Sequence, residues 1–179
     1  MKPVLSTALP GLALLALAAC GQSPRAAEPA AAPVVATEAD LRARGEFLVR
    51  VGQCNDCHTP GYAQQQGNVP DSQWLTGNAH AFLGPWGTTY PSNLRLTVPT
   101  RDEAQWLAYT AGLHTRPPMP DYTLRALPED DRRAIYRFIR SLGPAGKPAP
   151  EYLPPGQPPQ PPYMELVLPP PPADGPAPG

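Results

Sequence analysis

The sequence predicts a small all-α domain of a few short helices joined by long loops, and three observations point to it. Three stretches open with helix-capping or first-turn signals and carry apolar residues at helical spacing. The segments between them are glycine-, proline- and polar-rich and show no strand alternation. The chain has 29 prolines in 179 residues, concentrated outside its middle, so the folded unit is much smaller than the chain. A formal net charge of −1 gives no global field suited to nucleic acid.

Taken in order, residues 1–19 carry Lys2 and then an apolar run from Val4 to Ala19, a signal-peptide pattern too short for a comfortable membrane span. The run ends Leu17-Ala18-Ala19-Cys20-Gly21, which resembles the lipobox of bacterial lipoproteins. That resemblance implies cleavage before Cys20, acylation of its thiol and a lipid anchor at a membrane surface. Residues 20–36 are Ala/Pro-rich and read as a tether.

The helical domain is expected over 37–143. Thr37 with Asp40 three residues on predicts a capping box. The helix behind it carries Leu41, Gly45, Leu48 and Val49 on one face, with Arg42, Arg44 and Arg50 outward, and ends near Gly52. Gly45 leaves room for another helix to cross closely. Residues 59–78 show neither helical nor strand period; Trp74, Leu75, Phe82 and Leu83 are either core residues or packers against a bound group. Thr100 with Glu103 predicts a second capping box, with Trp106, Leu107, Thr110 and Ala111 as a buried stripe and Gly112 as the stop. Pro128 is expected in the first turn of the last helix, followed by Glu129, Asp130 and Asp131 at its positive end. Ala134, Ile135, Phe138, Ile139 and Leu142 make its buried face before Gly143-Pro144. Residues 144–179 form a proline-rich tail with an apolar island at 163–168, expected to be extended, either disordered or wrapped on the domain.

Chemistry concentrates at Cys54-Asn55-Asp56-Cys57-His58. This C-x-x-C-H string is the attachment pattern of a c-type haem: two thiols reach the two vinyl groups, and the next residue offers an imidazole to the iron. A redox dithiol needs a βαβ setting, which the sequence lacks. A zinc site needs four ligands, and no second cysteine pair is present. Export fits the haem reading, because bacterial c-type haem is attached outside the cytoplasm. For the opposite axial position, Met119 stands in Arg116-Pro117-Pro118-Met119-Pro120, a loop stiffened by prolines. His114 is the runner-up ligand and His80 the third.

With the C-x-x-C-H string, the flanking helices and the methionine loop in place, residues 37–143 resemble class I monohaem cytochromes c. The segment Gly84-Pro85-Trp86-Gly87-Thr88-Thr89-Tyr90-Pro91-Ser92-Asn93-Leu94-Arg95 resembles cytochrome c subunits that take electrons from bacterial periplasmic dehydrogenases. The resemblance implies one haem c with Cys54 and Cys57 as thioether attachments and His58 and Met119 as axial ligands. It also implies that Pro85, or its rival Pro70, offers a carbonyl to His58 Nδ1, and that Tyr90, Asn93 and Arg95 bind the haem propionates. The expected function is electron transfer, not enzymatic catalysis, at the periplasmic face of a bacterial membrane. A dehydrogenase is the expected donor, and another cytochrome or a terminal oxidase the acceptor. The alternatives are a structural relay subunit of such a complex, or a haem enzyme or gas sensor with an open sixth position.

Overall fold

The computed structural model describes residues 36–169. The expected signal peptide, the lipidation site Cys20 and nearly all of the tether lie outside the described residues. The described residues belong to one unit.

Helix α1 spans Glu38–Val51 and starts at a complete capping box: Thr37 Oγ1 accepts from Asp40 N at 3.1 Å, and Thr37 N donates to the Asp40 carboxylate at 2.9 Å. Helix α2 is a single turn, Cys54–His58. A β-hairpin follows, β1 at Ala81–Gly84 and β2 at Gly87–Thr89, then the short helix α3 at Leu94–Thr97. Helices α4 (Glu103–Ala111), α5 (Asp121–Ala126) and α6 (Glu129–Ser141) complete the helical part, and β3 (Tyr163–Glu165) lies in the tail. Among these, no helix is long and apolar enough to cross a membrane.

The core forms where α1 crosses α6. Gly45, Leu48 and Val49 face Ala134, Ile135, Phe138 and Ile139, and all seven are buried. A Cβ built on Gly45 would lie 2.6 Å from Phe138 Cβ and closer still to the Ala134 carbonyl oxygen, so the two backbones touch where only glycine fits. Trp74 and Leu75 fill the same core, the Trp74 indole donating to Val69 O at 2.8 Å and packing edge-on against Phe138. These two are core residues.

The all-α expectation omitted the sheet. Its strand order is β2-β1-β3, with β1 antiparallel to β2 and parallel to β3. Strands of three or four residues are too short to show a period, and β3 comes from the distant tail. The tail through residue 169 is thus packed on the domain, with Ala81 paired to Tyr163 and Thr88 to Leu153, and its last residues, 170–179, lie outside the described residues. Two helix starts also shift. Thr100 closes a 3-10 turn and gives its hydroxyl to Thr97 O at 2.7 Å, so Asp102 becomes the α4 cap, boxed with Gln105. Pro128 caps α6 from outside its first turn. In α4, Trp106 and Thr110 are buried and Leu107 half-buried, while Ala111 is exposed.

Candidate functional site

Cys54, Cys57 and His58 are brought together because the chain turns sharply behind α1. Gly52 ends that helix with its N–H on Leu48 O at 2.8 Å, and Gln53 adopts a left-handed conformation at φ 57°. The turn of α2 then begins at once, and both thiols are unpaired. Burial pushes the Cys54 thiol up to about 11, and burial, with the Asp56 charge second, raises that of Cys57. Both shifts run opposite to the lowered values of a reactive redox dithiol. Among the described residues no group of three His, Cys, Asp or Glu side chains converges.

His58 is buried, at 8% exposure, and burial lowers its pKa, with a weaker opposing effect from the Ser92 carbonyl. The imidazole is therefore neutral. Its Nδ1 lies 2.7 Å from Ser92 O. A carbonyl only accepts, so the proton sits on Nδ1 and the lone pair on Nε2 is free for a metal. Pro85 does not serve this role: it is exposed in the hairpin turn between β1 and β2. Pro70 is also exposed, its carbonyl taken by Gln73 N at 2.9 Å. Every residue carries a carbonyl, so side-chain identity gave no signal for Ser92.

The backbone around His58 is held from several directions. Gly77 N donates to His58 O at 2.8 Å. Thr59, fully buried, donates its hydroxyl to Asn55 Oδ1 at 2.7 Å and accepts from Leu75 N at 2.7 Å. Sequence reasoning missed Asn55 and Thr59; their signal was two small polar residues, i and i+4, inside and just after the C-x-x-C-H string.

Asn93 and Arg95 are not placed as propionate partners. Arg95 is buried and divides its guanidinium between the end of α6, with Nε to Gly143 O at 2.6 Å and Nη2 to Leu142 O, and the 3-10 turn at Asp71–Gln73, with Nη1 to Ser72 O at 2.7 Å. At Leu142 and Gly143 it satisfies carbonyls left without a partner beyond the last turn of α6. Burial lowers its pKa, partly offset by Asp71. The Asn93 amide donates to Ala145 O at 2.8 Å and Lys147 O at 3.1 Å. Tyr90 is half-buried directly after β2.

Met119 lies in the loop between α4 and α5 and is 37% exposed. Two anchors hold this loop. Asp121 accepts from Thr115 N and from Arg125 Nη1, the latter at 2.7 Å, and these contacts, the Thr115 bond first, hold its carboxyl below the usual range. Thr89 donates its hydroxyl to Pro117 O at 3.0 Å. Thr89 precedes Ser92 by three residues, so one segment touches both the methionine loop and His58. His114 is exposed, its Nδ1 3.3 Å from the Arg125 guanidinium, and His80 packs edge-on against Phe82. Asp121 was missed because an aspartate after proline reads as ordinary helix-start chemistry.

No protein-family model, no curated protein sequence and no solved structure matches this chain. The functional reading therefore rests on the residues themselves.

Proposed function

We propose that the chain is a class I-like monohaem cytochrome c that carries one electron at a time. The observation that carries this reading is the Nδ1–H of His58 committed to the Ser92 carbonyl, directly after two unpaired thiols on the same turn. The donor set suits a covalently held haem: two thiols for thioethers, and an imidazole fixed in the tautomer that ligates through Nε2. Haem c supplies a one-electron iron couple when bound. Cys54 and Cys57 would hold it in place, and His58 would meet it neutral and already oriented by the Ser92 carbonyl. Met119 offers a thioether from a loop whose prolines and two anchors limit the entropy lost on ligation. Because His58 and Met119 would both hold the iron, the role in this reading is transfer and not catalysis.

In this reading acylated Cys20 tethers the protein at the periplasmic face of a bacterial membrane. A periplasmic dehydrogenase reduces it and a cytochrome or terminal oxidase accepts the electron; the same residues also suit a relay subunit of such a complex. With a formal net charge of −1, docking relies on local patches and is transient.

The test is the visible spectrum of protein made with c-type haem maturation, as wild type and Met119→Ala. A weak long-wavelength sulfur-to-iron band in the oxidised wild type, lost in the variant, supports the carrier. No band in either, with carbon monoxide binding to the reduced wild type, overturns it in favour of an open-site enzyme or gas sensor. Loss of covalent haem in Cys54→Ala and Cys57→Ala, seen on a denaturing gel stained for haem, tests the attachment separately.

A further inference from the structure

Between α6 and β3, the proline-rich tail touches Asn93, beside the partner of His58, and Arg116, just before Met119. It leaves α6 and is caught at Ala145 O and Lys147 O by the amide of Asn93, next to Ser92, the partner of His58. It then runs to the hairpin, where Leu153 and Thr88 exchange both backbone hydrogen bonds, at 2.8 and 3.1 Å. Gly87, at φ +95°, permits that approach: a Cβ there would meet the Tyr152 ring at 3.0 Å and press on Leu153 O. The Tyr152 hydroxyl donates to Trp86 O at 2.8 Å, and the Arg116 guanidinium stacks 3.8 Å over the Tyr152 ring. Arg116 stands three residues before Met119, and the next residue, Pro117, is held by Thr89 of β2.

We propose that residues 145–153 are a strap holding the Met119 loop in place, with Tyr152 as its positioning residue through Arg116. The strap's start is fixed at the His58 side by Asn93 and its far end grips the methionine side, so one stretch of tail joins both. The helical core does not depend on it: the buried cluster around α1 and α6 contains no residue of 145–153. Tyr152 therefore acts on loop position and not on whether the domain folds. The inference rests on the proposed function where Met119 is treated as a ligand.

The experiment uses the full-length haem-loaded protein as wild type, Tyr152→Ala, Tyr152→Phe, Arg116→Ala and the Arg116→Ala/Tyr152→Ala double variant. Two quantities are read: amide hydrogen exchange over residues 113–122, and the imidazole concentration that displaces the methionine sulfur, followed by loss of the long-wavelength band. Losing a partly exposed cation–ring contact is expected to raise loop opening about five-fold. Exchange over 113–122 then rises about five-fold in each single alanine variant, and the displacing imidazole concentration falls by about the same factor. Tyr152→Phe keeps the ring under Arg116 but loses the bond to Trp86 O, so it falls between wild type and Tyr152→Ala, and the double variant goes no further than either single alanine one. Unchanged exchange in both single alanine variants overturns the strap. Faster exchange with unchanged imidazole displacement overturns the positioning role and leaves the tail free to serve partner binding. If the wild type shows no sulfur-to-iron band, the ligand assignment fails by itself, and the exchange measurement still decides whether the strap holds the loop.

Discussion

Replacing Gly45 with alanine adds one methyl group at the point where α1 meets α6. The new Cβ would lie 2.6 Å from both the Ala134 carbonyl carbon and Phe138 Cβ. Carbon atoms pack at about 3.5–4.0 Å, so the helices must part locally by about 1 Å. Alanine is the better helix former by about 1 kcal/mol, which works in the opposite direction. Overpacking a tight core costs about 1–3 kcal/mol or more, and here the obstacle includes backbone, which cannot rotate away as a side chain can. With backbone as the obstacle the cost falls at the upper end of that range, and the net expectation is a loss of about 2 kcal/mol. Gly112→Ala is the control: nothing lies within 4 Å of a Cβ there, and the position is at φ −110°. That substitution is expected to be neutral or to stabilise by up to about 1 kcal/mol. Urea unfolding followed by far-ultraviolet circular dichroism, on the three haem-loaded proteins, reads the difference. A Gly45→Ala protein as stable as Gly112→Ala would refute the close crossing.

Thr59→Val removes the hydroxyl that accepts from Leu75 N and leaves that buried donor unpaired, a loss of about 1–3 kcal/mol in urea unfolding, whereas Thr59→Ser recovers most of it. Arg95→Gln is expected to lower stability by about 1.5–3 kcal/mol through the end of α6, while potentiometric titration finds the redox midpoint unchanged; a large shift in midpoint would return Arg95 to the haem. Asp131 has its pKa lowered by its hydrogen bond with Arg44, joining α6 to α1. Because the folded value lies below the unfolded one, its contribution is present above the unfolded value and is lost as pH falls through the folded one. Asp131→Asn therefore destabilises by about 0.2–1 kcal/mol near neutral pH, and the gap in melting temperature from wild type closes as pH drops below about 4.

The longer helices α1, α4 and α6 and the C-x-x-C-H turn were legible from the sequence because their causes are local, whereas the short α3 and α5 were not expected. Capping at Thr37, the apolar face of α6 and the spacing of Cys54, Cys57 and His58 all depend on residues a few positions apart. Even the need for a close crossing was visible in Gly45, a glycine amid a helical face. What the fold alone decided comes from backbone groups and distant partners. Ser92 is chosen by where its carbonyl lies, and β3 becomes a strand only because β1 offers it an edge. Arg95 and Asn93 looked like anion binders because their side chains suit that chemistry. The fold commits them instead to orphaned carbonyls at the end of α6 and the start of the tail, since a buried carbonyl without a donor is costly wherever the chain brings it. Side-chain type and spacing determined which chemistry this protein can host; the path of the backbone decided which groups hold it in place.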